Sequence, residues 1–162
     1  MRKEGQFNIS FGMIFSIIVI IAILGVAFYV ITNFISLSEC TNIGLFYNDL
    51  KNHIDKAWRA TIHEEVFVGK LPSDIELVCF GNSTTSPDRK YRDEYNKLVG
   101  ESRGRESNLF LYPPQNACDS NLYSLKLEHI TVDSFFCISV KNGKVEIKTK
   151  KDRFDALVKI IS

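Results

Sequence analysis

The sequence has no excess of charge of either sign. Its 20 lysine and arginine residues offset 19 aspartate and glutamate residues, which leaves a formal net charge of +1 over 162 residues. A chain with this balance has no long-range electrostatic attraction for nucleic acid or for acidic substrates. It also has no internal repeat and no low-complexity tract. We therefore expect a folded protein without a nucleic-acid partner.

Motifs of the common enzyme and metal chemistries are missing as well. There is no GxSxG nucleophile motif, no glycine-rich phosphate loop and no CxxC pair, and none of the three histidines lies at ligand spacing from a cysteine. His63-Glu64-Glu65 begins like an HExxH zinc motif, but no second histidine follows at the required position, so we expect a solvated helix end there. The sequence predicts no catalytic site, no metal site and no cofactor.

Charge is absent from residues 11–37, which consist mostly of isoleucine, valine, leucine, phenylalanine and alanine. At about 1.5 Å per residue, a helix of this length measures roughly 40 Å and exceeds the ~30 Å hydrocarbon core of a bilayer. Backbone groups in lipid must bond within the segment, so the β-branched run at residues 17–21 is assigned to helix. We predict a transmembrane helix over residues 11–37. A cleaved secretory signal is the competing interpretation, although its apolar core is normally only about 7–15 residues long.

The charges beside this segment predict its orientation. Arg2 and Lys3 precede it, whereas the first basic residue after it is Lys51. Basic residues stay preferentially on the cytoplasmic side of a membrane. We therefore expect residues 1–10 to be a cytoplasmic tail and residues 38–162 to form the extracellular domain of a cell-membrane protein.

Four cysteines fall on the side assigned to the exterior, where an even number predicts two disulfides. They are Cys40, Cys79, Cys118 and Cys137. Three pairings are possible. We favour Cys40–Cys79 with Cys118–Cys137, because Cys40 falls on the apolar side of a helix and Cys79 on the apolar face of a strand. Cys137 is expected on the opposite face of its hairpin, where it can tie down the loop that contains Cys118.

The remaining pattern predicts an α+β fold, with a long N-terminal helix packed on a small antiparallel β-sheet. Apolar residues recur at steps of three or four over residues 39–60, which indicates an amphipathic second half of that helix. A further helix is predicted over residues 89–101. Strands are predicted over residues 75–80, 108–112, 123–130, 135–140 and 156–161, the second of them at a sheet edge.

Several positions carry specific local signals. Asn142-Gly143 is typical of a two-residue type I′ hairpin turn, which would place Val140 opposite Val145 in adjacent strands. Asn82-Ser83-Thr84 is an N-glycosylation sequon in a polar loop of the extracellular part, so Asn82 is a candidate glycan acceptor. Trp58 continues the apolar stripe of the amphipathic helix and is expected in the core.

The N-terminus resembles that of a known family. Its first eleven residues, MRKEGQFNISF, place a basic tail ending in Gly5-Gln6 directly before the apolar helix. This arrangement is similar to the class III signal peptide of archaeal type IV pilin-like proteins. The resemblance implies that a prepilin peptidase cuts between Gly5 and Gln6, and that the N-terminal helix packs against like subunits or other pilin-like proteins. The fifth mature position, where that family usually carries a glutamate that helps subunits dock, is Ser10 here.

These observations lead to a first hypothesis, a non-enzymatic, single-pass membrane protein that acts as a pilin-like structural or assembly subunit in the cell membrane or in a surface filament. The alternative is a non-polymerising, membrane-anchored extracellular binding or sensor domain. An ecto-enzyme with an unrecognised site is the third hypothesis. The first two share one prediction of membrane topology and differ in whether the subunits assemble.

Overall fold

The computed structural model describes residues 11–102, 106–118 and 122–161. The N-terminal tail, with the proposed cleavage position at Gly5 and Gln6, lies outside the described residues. The chain divides into two compact units, Met1–Leu37 and Ser38–Ser162.

One long helix, α1, runs over Phe11–Arg59 and contributes residues to both units. The predicted helices over residues 11–37 and 39–60 are both confirmed as parts of it. Within the second unit, α1 buries a stripe of side chains that are at most 2% exposed, namely Ile43, Phe46, Leu50, Ile54 and Ala57. This spacing follows the 3.6-residue period, so one face of the helix supplies a side of the core.

The C-terminal end of α1 is held by a lysine from a distant part of the chain. The ammonium group of Lys151 donates hydrogen bonds to the backbone carbonyls of Trp58 and Ala60, the latter at 2.9 Å. Carbonyls at a helix C-terminus lack partners within the helix, and a cation there also interacts favourably with the negative end of the helix dipole. Trp58 itself is 38% exposed, so the prediction that it lies in the core is wrong. The neighbouring Ala57 takes the inward position instead.

Among its described residues, the second unit contains eight strands and a second helix, α2 at Arg92–Glu101. The helix confirms the prediction over residues 89–101, and a 3₁₀ turn at Arg89–Tyr91 precedes it. The strands are β1 His63–Lys70, β2 Leu77–Phe80, β3 Leu109–Tyr112, β4 Ser124–Leu125, β5 Ile130–Thr131, β6 Phe136–Ser139, β7 Lys144–Lys151 and β8 Val158–Ile161.

These strands form two four-stranded sheets. The first has the order β1-β7-β8-β5 and the second has the order β4-β3-β2-β6. The α+β class is confirmed, whereas the expectation of one small antiparallel sheet is wrong, because there are two sheets and β5 pairs parallel to β8. The edge position predicted for residues 108–112 is also wrong, since β3 lies between β4 and β2.

The predicted strand over residues 123–130 is interrupted. It yields only β4 and β5, which belong to different sheets. Between them the side-chain amide of Asn108 accepts from the backbone N–H of Leu127 at 2.7 Å and donates to its carbonyl at 2.8 Å. A side chain therefore satisfies the backbone groups that a partner strand would otherwise bond. His129, two residues later, has φ 64°, in the left-handed region that ends an extended run.

The type I′ turn at Asn142-Gly143 is confirmed, but the hairpin register is wrong. Both turn residues have positive φ, 51° and 68°, and Lys141 and Lys144 exchange two backbone hydrogen bonds of 2.8 and 3.0 Å. Beyond this bridge the strands separate. The N–H of Val140 donates to the carbonyl of Glu76 at 2.7 Å, and Val145 pairs with Gly69 on β1. The turn therefore connects the two sheets.

A single hydrophobic core lies between the elements of the second unit. Alternation along β7 orients Val145, Ile147 and Thr149 inward and leaves Glu146 and Lys148 exposed. The largest fully buried side chains come from α1, both sheets, α2 and the loops, and they include Phe46, Phe80, Phe110, Phe135, Leu98 and Ile147.

Candidate functional site

The first feature with functional meaning is an uncovered apolar helix surface. The segment Gly12–Thr32 of α1 has a mean hydropathy of 3.0, and none of it is buried. Within the described residues, it is the one helix long and apolar enough to cross a membrane, and its place near the N-terminus also fits a signal sequence. Side chains such as Phe28 and Tyr29 are 71% and 69% exposed, so an apolar environment is needed to cover them.

The hydroxyl groups of Ser16 and Thr32 form hydrogen bonds within the helix. The Ser16 hydroxyl donates to the Gly12 carbonyl at 2.8 Å, and the Thr32 hydroxyl bonds the Tyr29 carbonyl at 3.0 Å. A hydroxyl in lipid has no water to bond, so such back-bonding removes most of its cost. The segment can therefore enter hydrocarbon without leaving these two hydroxyls unpaired.

Two disulfides tie the second unit together, Cys40–Cys118 and Cys79–Cys137. The favoured pairing Cys40–Cys79 with Cys118–Cys137 is wrong. Cys79 and Cys137 occupy directly opposite positions on β2 and β6, with their Cα atoms 3.9 Å apart. Cys40 on α1 meets the loop after β3, where Cys118 lies 5.4 Å away between Cα atoms. The error followed from the assumed hairpin, which gave β6 the wrong neighbour, and no local signal reveals a partner strand 58 residues away.

The loop that carries the glycosylation sequon is compact and exposed. The side-chain oxygen of Asn82 accepts hydrogen bonds from the N–H of Thr84 at 3.0 Å, from the Thr84 hydroxyl at 2.7 Å and from the N–H of Thr85 at 3.1 Å. Its side-chain nitrogen has no hydrogen-bond partner among the described residues. This arrangement presents the Asn82 amide nitrogen to solvent, where a modifying enzyme can reach it.

A histidine cluster that the sequence did not predict lies where α1 packs against β1 and β7. His53 comes from α1, His63 and Glu65 from β1, and Thr149 from β7. The His53 and His63 rings are 5.3 Å apart between centroids and steeply inclined. His63-Glu64-Glu65 therefore begins a strand, and the prediction of a solvated helix end is wrong. His63 is only 7% exposed.

The hydroxyl group of Thr149 lies within hydrogen-bond distance of both imidazole rings. Thr149 Oγ1 lies 2.9 Å from His53 Nε2 and 3.2 Å from His63 Nε2, and it donates to the Glu65 carbonyl at 3.1 Å. A hydroxyl has a single hydrogen, which this last bond uses. With that hydrogen on the Glu65 carbonyl, both rings donate from Nε2, and a neutral ring then keeps its lone pair on Nδ1.

The electrostatics of the cluster favour neutral imidazole at His53. Burial lowers the pKa of His53 first, and the neighbouring His63 and Lys56 lower it further, while Glu65 acts in the opposite direction. The Glu65 carboxylate is half-exposed and lies 4.0 Å from His53 Nδ1. One potential ligand atom from each of His53, His63 and Glu65 lies within 4.8 Å of the others. The cluster can accept a proton or a cation.

The third histidine lies in a different environment. His129 stacks on Trp58 with ring centroids 3.8 Å apart and an interplanar angle of 9°. The Trp58 indole N–H donates to the Ala156 carbonyl at 3.1 Å, and nearby in sequence Phe154 is 95% exposed. This stacked pair is separate from the cluster around Thr149.

No protein-family model, curated protein sequence or solved structure matches this chain. Its function is therefore inferred from its own residues.

Proposed function

We propose that this chain is a single-pass membrane-anchored surface protein with a disulfide-tied extracellular domain, and that it acts as a pilin-like structural or assembly subunit. The observation that carries the proposal is the uncovered apolar surface of Gly12–Thr32. The remaining support comes from the two disulfides of the second unit and from the Gly5-Gln6 sequence before the helix.

The energetics of the segment favour insertion. Its 21 residues include 13 isoleucine, valine, leucine or phenylalanine side chains. At about −0.3 to −0.6 kcal/mol for each at the centre of a membrane helix, they contribute on the order of −4 to −8 kcal/mol. No charged residue within Gly12–Thr32 opposes this gain. The segment therefore serves as an anchor.

The disulfides support an extracellular second unit. Disulfide bonds form and persist in oxidising compartments, whereas cytosolic thiols are kept reduced. All four cysteines belong to Ser38–Ser162, and basic residues precede the apolar segment. Both features agree with a cytoplasmic N-terminus and an external C-terminal domain.

Assembly through the N-terminal helix is the finer part of the proposal. A Cβ atom at Gly25 would meet nothing within 4 Å, so a neighbouring helix can approach the backbone closely at this point. The partners would be like subunits or other pilin-like proteins, and the prepilin peptidase would remove residues 1–5. Asn82 is proposed as a glycan acceptor because its amide nitrogen is exposed and the sequon lies on the external side.

A specific observation favours the alternative function. Ser10 stands at the mature position where pilin-like proteins usually carry glutamate. A chain without that docking carboxylate can remain a non-polymerising, membrane-anchored extracellular binding or sensor domain. The two functions share the anchor and differ in self-association.

One experiment tests both parts of the proposal. The full chain and a Gly5→Val variant are expressed in cells that contain a prepilin peptidase, with Glu4→Gln as the control variant in the same tail. The mature wild-type and control chains should begin at Gln6, and the Gly5→Val chain should keep Met1. Sheared surface material should contain the mature wild-type chain. An intact Met1 in the wild type overturns the pilin-like assignment, and a cleaved chain confined to the membrane as a monomer supports the binding or sensor domain.

A further inference from the structure

We propose that His53, His63 and Glu65 form a binding site for a divalent transition-metal ion with the ligand preference of zinc. The three side chains come from two elements, α1 and β1, and they offer ligand atoms within 4.8 Å of one another. The site belongs entirely to the second unit and is independent of the membrane segment.

The donor set selects the class of ion. Two imidazole nitrogens and one carboxylate oxygen suit zinc and its neighbours in the first transition row, whereas magnesium and calcium prefer oxygen ligands alone. Three protein ligands leave a fourth tetrahedral position for water or for a ligand. The half-exposed Glu65 carboxylate gives solvent access to that position.

The cluster is already ordered by contacts that a metal site requires. Metal-binding histidines usually donate their second ring nitrogen to a fixed acceptor, which sets the orientation of the ring. Thr149 Oγ1 supplies such an acceptor to both rings, and its own hydrogen is held by the Glu65 carbonyl. His53 Nδ1 is the nitrogen that faces the Glu65 carboxylate at 4.0 Å.

The required movement is small. Ligand atoms around a tetrahedral zinc ion lie about 3.3 Å apart, given zinc–ligand distances of about 2.0–2.2 Å. The most widely separated ligand atoms, which lie within 4.8 Å of one another, must therefore approach by up to about 1.5 Å. Glu65 can supply most of this movement because its side chain is 50% exposed. The positive charge of Lys56 on α1 disfavours a second cation at His53, but the Lys56 side chain is exposed to solvent, which weakens this repulsion.

Direct titration tests the site. The full chain is purified in detergent without a polyhistidine tag, treated with EDTA, freed of chelator and titrated with zinc sulfate at pH 7.5 against a chromophoric chelator. We expect one zinc ion per chain and a rise in the midpoint of thermal unfolding. Magnesium at the same concentration should give neither effect.

Two variants test the proposed ligands Glu65 and His53, and a third is the control. Glu65→Gln keeps the backbone carbonyl that holds Thr149, and His53→Gln alters a partly buried helix position, so both variants should fold. Each should lower zinc affinity by at least about tenfold, the lower end of the loss found when contacts that support a metal site are removed. His129→Asn, at the stacked pair outside the cluster, should bind zinc as the wild type does. Circular dichroism without metal verifies that each variant is folded.

Two results would overturn the site. One is the absence of saturable zinc binding with a Kd below about 1 mM in the folded wild type. The other is wild-type affinity in both folded Glu65→Gln and folded His53→Gln, which would assign any bound zinc to other residues.

Discussion

Gly69 on β1 lies directly beneath the ring of Phe46 on α1. A Cβ atom at this glycine would be 2.6 Å from two ring carbons of Phe46 and 2.9 Å from the ring of Phe67. Phe46 is only 2% exposed, so its ring is surrounded by other side chains of the core. Because Gly69 has no side chain, α1 can pack closely against β1. The same close packing places His53 of α1 beside His63 of β1.

Replacing Gly69 by alanine tests that packing. Gly69→Ala should lower the free energy of unfolding by about 1–3 kcal/mol, because the added methyl displaces the buried ring of Phe46 and the partly buried ring of Phe67. The matched control is Gly100→Ala on α2, where an added Cβ meets nothing within 4 Å. The control should be neutral or stabilising by up to about 1 kcal/mol, since alanine favours helix. Chemical denaturation measures both, and equal stabilities of the two variants would contradict the contact.

The disulfide pairing is tested by peptide mapping. Digestion without reduction should yield one peptide pair joined through Cys79 and Cys137 and another joined through Cys40 and Cys118. Removing the cross-strand bridge by the double change Cys79→Ala and Cys137→Ala should cost about 2–5 kcal/mol of stability. A linked peptide that contains Cys79 and Cys40 would refute the strand order of the second sheet, because β2 would then not pair with β6 at this position.

Stability should depend on pH through His53. Its pKa in the folded state is lowered, first by burial and then by His63 and Lys56. The pKa of His53 in the unfolded chain is about 6.5. Below this pH the unfolded chain therefore binds more protons than the folded chain, so the contribution of His53 to stability is complete only above it. The free energy of unfolding should fall as the pH decreases from about 6.5 through the lowered pKa of His53 in the folded chain. His53→Gln should show a flatter profile between about pH 5 and 7, and an unchanged slope would remove His53 as the cause.

Glycosylation is tested at the exposed loop. When the protein is expressed in cells that attach N-glycans, the intact mass should exceed the mass of the polypeptide, and Asn82→Gln should abolish the excess. Ser83→Ala is the control, because the central position of a sequon accepts any residue except proline. A wild-type chain without added mass, or an excess that persists in Asn82→Gln, would contradict the assignment.

Periodic patterns predicted both helices and several of the strands, because each pattern depends on neighbours close in the chain, whereas β1 was not predicted and the strand over residues 123–130 is interrupted. The stripe from Ile43 to Ile54 has the helical period, and burial of Val145 and Ile147 follows the alternation of a strand. The left-handed preference of Asn142-Gly143 likewise depends only on two residues. Helices and turns were therefore accessible to sequence reasoning.

Pairings between distant segments were not accessible. The Asn142-Gly143 turn determines a chain reversal, but the partners of β6 and β7 are set by β2 and β1, which lie far away in the sequence. The histidine cluster was missed for a related reason. His63 and Glu65 have a spacing of two, which places both on one face of a strand, but the partner that retains His63 in the interior is Thr149, 86 residues later.

In the proposed topology, an apolar helix anchors a disulfide-tied external domain. The most direct test adds protease to intact cells that express the full chain with a C-terminal epitope, with a cytoplasmic protein as the internal control. We expect the epitope to be lost while the cytoplasmic control survives, and we expect the epitope to fractionate with membranes after alkaline carbonate extraction. An epitope that is protected in intact cells and digested after lysis would contradict this topology.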